Sequence, residues 1–282
     1  CTALEEIELP ASITVINSSM FAGCTSLKSV KAKGTITKIE DNAFGSIKER
    51  TGWDDDWNPI YTTYADAELS EIPDLSQVTT IGERAFNGCA NLTTVDLHNV
   101  TSLGVQAFYK CSALSDEIDL SGLDTIPDYA FTYDKNITSI KFSDTLKSIG
   151  TWAFIWAAAE KVELPDTVES IGEYAFYLSK LKGTLKLPDS LKTLGDNAFN
   201  GCTGIKEVEI GSNLTTIPSG AFDGCTSLTK VTVDNSQDNV TATFPKGANV
   251  QYTVPSIKNA GDTIAEGGKT LQQAVNDAED GG

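Results

Sequence analysis

A solenoid of short parallel strands, about ten units of 22–23 residues, is the fold that the sequence predicts, and three observations predict it. A Phe recurs at Phe21, Phe44, Phe86, Phe108, Phe131, Phe154, Phe176, Phe199 and Phe222, eight of the nine preceded by Ala. Eight positions before each Phe stands an apolar residue, from Ile13 and Ile36 to Leu191 and Leu214. Five positions before it stands another, from Ile16 and Ile39 to Leu194 and Ile217. Three slots matched nine times mark a tandem repeat, in which each unit buries its apolar face only by stacking on its neighbours.

Each unit opens on a stretch such as LKSV, LTTVDL, ITSIKF or IKEVEI. Apolar residues alternate near its end, as in Val95 and Leu97 or Val208 and Ile210, which predicts a short strand with one buried face. The segment up to the Phe, such as SLKTLGDNAF, is the return path. The step from Phe44 to Phe86 is 42 residues instead of 22 or 23, so one unit carries an insertion at 45–68, after which the phase resumes. Four positions before the Phe, Gly recurs at Gly82, Gly104, Gly150, Gly172 and Gly195, with Pro127 and Pro218 in the same slot. Pro fixes φ near −65°, so the slot asks for room and not for a left-handed turn.

The pattern L-x-x-V-x-L-P-x-x-V-x-x-I-G-x-x-A-F-x-G-C, carried almost unbroken by residues 205–225, resembles the BspA-type leucine-rich repeats of bacterial surface proteins. The resemblance covers residues 1–234 and implies a leucine-rich-repeat solenoid that acts by binding. It further implies an extracellular or cell-surface location and adhesion to a protein or glycan ligand on a host or neighbouring cell. The alternative is a structural spacer that presents another domain of a longer surface protein. Cys1 falls in the cysteine slot of a repeat whose Phe would lie upstream, so the chain is expected to begin inside a repeat. The alternative is the lipid-bearing first residue of a lipoprotein.

All six cysteines, at 1, 24, 89, 111, 202 and 225, stand three positions after the Phe slot. Stacked strands bring their Cβ atoms to about 4.8 Å, whereas a disulfide needs about 3.8 Å, which favours a column of buried thiols over a disulfide framework. The chain has 39 acidic and 21 basic residues, a net charge of −18, which argues against nucleic acid. No apolar run is long enough to cross a membrane. No catalytic, cofactor or metal site is expected: His98 is the single histidine, and no nucleophile motif accompanies it. The chain is expected to be monomeric and without cofactors.

The outward strand positions mix charges and lack aromatics, so they suggest no partner. Two places depart from the pattern. The insertion concentrates Trp53, Asp54, Asp55, Asp56, Trp57, Tyr61 and Tyr64, aromatic rings beside carboxylates that suit a protein or sugar partner, or that pack the loop onto the solenoid edge. Around Phe131, Phe154 and Phe176 the Gly-Cys pair is lost and aromatics appear, Trp152 and Trp156 among them. At one-repeat spacing they line up on one edge, as an exposed interaction stripe or as core repacked around the lost cysteines. Residues 235–282 are a cap or the start of a following module. NVTATF and NVQYTV read as two strands with PKGA as the turn between, and KTLQQAVNDAEDGG reads as a helix.

Overall fold

The computed structural model describes residues 1–45, 48–53, 59–63, 68–218, 220–234, 241–242, 244 and 248–253, with 48–53, 59–63, 234, 241–242, 249–250 and 252–253 by backbone alone. It is a parallel β-solenoid of about nine turns, with no helix among the described residues.

Each coil has three sides. On the first, the longer strands stack in parallel: Glu6–Leu9 on Ser29–Ala32, and Ser115–Leu120 on Asn136–Phe142. A four-stranded run of Lys182–Leu187, Gly204–Ile210, Lys230–Asp234 and Asn249–Thr253 follows. The register is the repeat itself: Ile7 faces Val30, and Val208 faces Leu185 and Val231. On the second side, two-residue strands end on the apolar residue five before each Phe, and they too pair in parallel, Ile16 with Ile39 and Ile149 with Ile171. Ile39 pairs with Ile81 across the insertion, so the phase does resume there. The insertion itself contains an antiparallel pair, Lys48–Trp53 with Pro59–Thr63.

Three expected strands are missing from the first side, and one of them, after Leu69, keeps a single bridge, Ser29 with Glu71. Leu97 and Val162 are buried as the alternation predicts, yet 92–97 and 160–164 form no ladder. At 92–97 and 160–164 the chain length differs by one residue, an offset that the ladder of Ile118 with Ile140 absorbs in a bulge. Val162 follows its Phe by eight residues, where Val208 and Val231 follow by nine. Ile118 follows its Phe by ten, so it mismatches the coil of Val95, and Asp116 takes φ 66° beside it. Beyond residue 234, Asn249–Thr253 adds to Lys230–Asp234 and Thr241–Ala242 adds to Thr216–Ile217, both in parallel. The two strands expected there thus join the solenoid's ladders. The helix expected at 269–282 lies outside the described residues.

The third side is the turn bearing the Phe. From Phe21 to Phe222 the rings form one column with centroids 5.1–5.6 Å apart and planes within 15°. Phe244 extends it at 6.1 Å. Offset stacking of this kind adds to the burial of each ring. The backbone of this side is also bonded from coil to coil. Phe154 N–H donates to the Ala175 carbonyl at 2.8 Å, and Trp152 and Trp156, two residues before and after, donate to Glu173 and Tyr177 at 2.9 Å. Those flanking positions are left-handed. Two before the Phe, φ lies between 53° and 60° at Ser19, Asn42, Arg84, Gln106, Tyr129, Trp152, Tyr174 and Asn197. Alternating hand along the turn aims every second N–H down the solenoid axis, which satisfies backbone donors that no strand reaches.

The recurrent Gly four before the Phe is not among the left-handed residues. A Cβ at Gly104 or Gly195 would lie 2.3 Å from the backbone nitrogen of Glu83 or Glu173 in the preceding coil. Lack of room is therefore the reason for Gly there. The left-handed glycines are Gly23, Gly88, Gly201 and Gly224, two after the Phe, and Gly183 in a first-side strand.

Candidate interaction surface

The thiols line the inside of the turn. Sγ of Cys111, Cys202 and Cys225 donates to the carbonyl of Phe86, Phe176 and Phe199 at 3.1–3.3 Å. The slot takes a small buried side chain, Ala157 in one coil and Ser179 in the next, the Ser179 Oγ 3.2 Å from Cys202 Sγ. Burial pushes the Cys202 thiol up to about 11 and the Cys225 thiol up to about 12. Asp134 fills the same slot in the coil of Phe131, fully buried, with neither carboxylate oxygen hydrogen-bonded.

On the strand side, lysines and carboxylates pair across coils: Lys28 with Glu5 at 3.2 Å, Lys33 with Glu8 at 3.0 Å, Lys141 with Asp119 at 2.7 Å. The Glu5 hydrogen bond and charge raise the Lys28 ammonium above its ordinary range. These exposed pairs cancel one another's charge and add little stability. A shallow polar cleft crosses this side where the 160–164 ladder is missing, between Glu117, Lys141, Lys161, Glu163 and Lys186. His98 is exposed, its Nδ1 2.5 Å from Asp96 Oδ1 and its Nε2 2.7 Å from the Asn99 amide. Among the described residues no three His, Cys, Asp or Glu gather as metal ligands.

The aromatics around Phe131, Phe154 and Phe176 do share one edge, the turn side. Tyr129, Trp152 and Tyr174, two before the Phe, form an inner column with centroids 6.0 and 5.0 Å apart. Tyr109, Tyr133 and Trp156 form an outer column at 5.5 and 5.0 Å. Tyr177 closes on Tyr174 at 5.4 Å. All seven rings are half-buried, and Leu178 beside them is 41% exposed. Burial raises the Tyr109 phenol, with the Tyr133 hydroxyl adding to it. Lys135 Nζ rests over the Trp156 ring at 4.4 Å.

Two of the three outer rings, Tyr133 and Trp156, stand on left-handed backbone. Two after the Phe, where four coils place Gly, four successive coils place Lys110, Tyr133, Trp156 and Leu178, at φ 62°, 73°, 65° and 55°. A side chain in this region costs about 1–2 kcal/mol. Spacing alone foretold the alignment of the rings; the left-handed slots beneath them carry no signal until Gly is seen to alternate with bulky residues.

Of the insertion residues, Trp53 and Tyr61 lie on the backbone of the antiparallel pair, and Asp54, Asp55, Asp56, Trp57 and Tyr64 lie outside the described residues. Trp152 and Trp156 belong to the two columns above.

Solved structures similar to the chain are leucine-rich repeat proteins. One, from Bacteroides ovatus, is 23% identical with a TM-score of 0.57, covering 81% of this chain and 63% of its own. Another, the pneumococcal vaccine antigen PcpA, is 23% identical with a TM-score of 0.54, covering 89% of this chain and 63% of its own. The chain thus spans less than two thirds of either protein, and the likeness is one of fold. No curated protein matches it. The model of the BspA type leucine rich repeat region matches residues 1–51, 61–182 and 148–253, in six copies. With its Phe column, its parallel ladders and that match over most of its length, the chain belongs to the BspA-type leucine-rich repeat family.

Proposed function

We propose that this chain is a non-catalytic binding scaffold of a bacterial surface or secreted protein, and that it adheres through the aromatic band centred on Tyr133, Trp152 and Trp156. The observation that carries the reading is the replacement of Gly by large side chains at a left-handed slot in four successive coils. Core packing does not call for it, because the Phe column runs unbroken behind the band. Strain held in a cluster is a mark of function.

A protein partner suits the band better than a glycan. Tyr129 and Trp152 stack at 22°, which turns their faces toward each other. Lys135 covers a face of Trp156. Sugars need open ring faces, whereas protein hot spots use Tyr and Trp in this half-buried state.

The test is binding of fluorescently labelled protein to host epithelial cells and to neighbouring bacteria. Trp156→Gly with Trp152→Asn installs residue types that other coils carry at these slots, and it should keep the fold and abolish binding. Protease treatment of the cells should abolish binding too. Full binding by the double variant would remove the band as the site and return the insertion, Trp53 to Tyr64, as the candidate. Absence of binding by the unaltered chain would favour the spacer role.

A further inference from the structure

Asp134 has no place in a structural account of the solenoid. From Cys24 to Cys225 its slot points into the core in each described coil, where it otherwise holds Cys, Ala157 or Ser179. Burial drives its carboxyl well above the usual carboxylate range; the Cys111 backbone opposes this weakly, and its N–H is already bonded to the Phe108 carbonyl at 3.1 Å. The titratable group facing it from the preceding coil is the Cys111 thiol, itself donated to Phe86. The following coil presents Ala157. Within its own coil, the buried Thr132 hydroxyl goes to the Trp152 carbonyl, and Tyr133 and Lys135 lie in the band outside. With no cation beside it, the carboxyl can ionise only by reaching water.

Its chain neighbours are the ones that join the band. Tyr133 links Tyr109 to Trp156, Lys135 caps Trp156, and the Thr132 carbonyl accepts the Lys110 N–H at 2.9 Å. A turn that swings out to hydrate the carboxylate therefore takes the outer column apart. We infer that Asp134 is a proton-operated latch beneath the band: protonated, it holds the Tyr133 turn closed, and ionised, it releases that turn. This rests on the band being the contact surface, since that surface is what the latch would regulate.

The latch has a defined pH signature. Where the open turn ionises and the closed one does not, the open fraction grows tenfold per pH unit above the ordinary carboxylate range near ~4, until the closed form ionises in turn. The sign is toward opening as pH rises, so the band is most intact in acid.

Hydrogen exchange read by mass spectrometry on the full chain at pH 5, 6, 7 and 8, corrected for intrinsic exchange chemistry, tests this without a partner. Residues 129–137 should exchange up to tenfold faster per pH unit relative to residues 199–205. The slope should vanish in Asp134→Ser, which installs the residue type of position 179, and in Asp134→Cys, which extends the thiol column. If 129–137 track the rest of the molecule, or if the slope survives in both variants, the latch is overturned. Should the slope appear while Trp156→Gly leaves cell binding intact, the latch stands and the contact surface is wrong. Should Trp156→Gly lose binding while pH affects the unaltered chain and Asp134→Ser alike, the surface stands and the latch falls.

Discussion

Phe154→Ala is the perturbation that most directly probes how the solenoid holds itself together. The ring is fully buried, with Phe131 at 5.4 Å on one side, Phe176 at 5.5 Å on the other and the edge of Phe142 at 5.9 Å. Truncating a buried Phe costs about 3–5 kcal/mol. Two stacked neighbours and an edge contact, each adding about 0.5–1.5 kcal/mol beyond burial, place this position at the upper end, near ~5 kcal/mol. Phe21 has one ring neighbour among the described residues, Phe44 at 5.4 Å, so Phe21→Ala should cost nearer ~3 kcal/mol. The two variants should also differ in kind. Repeats couple only to their neighbours, so a weak coil in the middle uncouples the two halves. Urea unfolding followed by circular dichroism and by fluorescence should give one transition for Phe21→Ala and two diverging ones for Phe154→Ala. Lys141→Ala, on an exposed ion pair, should stay within about 0.5 kcal/mol of the unaltered chain. Equal losses at Phe21, Phe154 and Lys141 would refute the stacked-column account.

Three further outcomes are expected. Gly104→Ala forces a Cβ against backbone at 2.3 Å and should destabilise by more than ~2 kcal/mol, whereas Gly183→Ala has open space and only its φ of 77° to overcome, so it should cost about 1 kcal/mol in thermal melts. In native protein at pH 8 a thiol reagent should label exposed Cys1 and spare Cys202 and Cys225, whose thiols burial holds near about 11 and about 12; mass spectrometry after unfolding should then find those two labelled. The Asp134 carboxyl binds a proton more tightly folded than unfolded, so its contribution is complete below the ordinary carboxylate range and is lost as pH rises; urea melts of the unaltered chain should lose up to about 1.4 kcal/mol per pH unit against Asp134→Cys across that rise.

Much of this architecture is written in side chains whose spacing is fixed by the coil. The Phe, the two apolar slots before it and the cramped Gly all show at 22 or 23 residues, because each must meet its own copy in the next coil. What escapes is set by backbone or by single residues. The left-handed positions tolerate Ser19, Arg84 and Trp152 alike, so composition does not reveal them. Phe244 stacks on Phe222 although its own apolar slots hold Ser236 and Asn239, so a template built on those slots passes it over. Asp134 is conspicuous only once its slot is known to face inward; in a chain with 39 acidic residues it is one carboxylate among many. The band was legible as an alignment of rings, but its exposure and the strain beneath it required the fold.

The hydrogen-bonded turn side has a mechanical consequence. Because N–H groups of Trp152, Phe154 and Trp156 all point to the next coil, the turn side binds a coil to its neighbour even where the first-side ladder is missing, at 160–164. A pull along the axis loads these contacts in series, and the bonds between two coils give way together when that junction fails. Each failure frees about 23 residues, or roughly 80 Å of contour. A chain tethered at one end and gripped at the other would lengthen under tension in steps of one coil, with one longer step at the 42-residue unit, and force spectroscopy would read the coil repeat directly as the spacing between peaks.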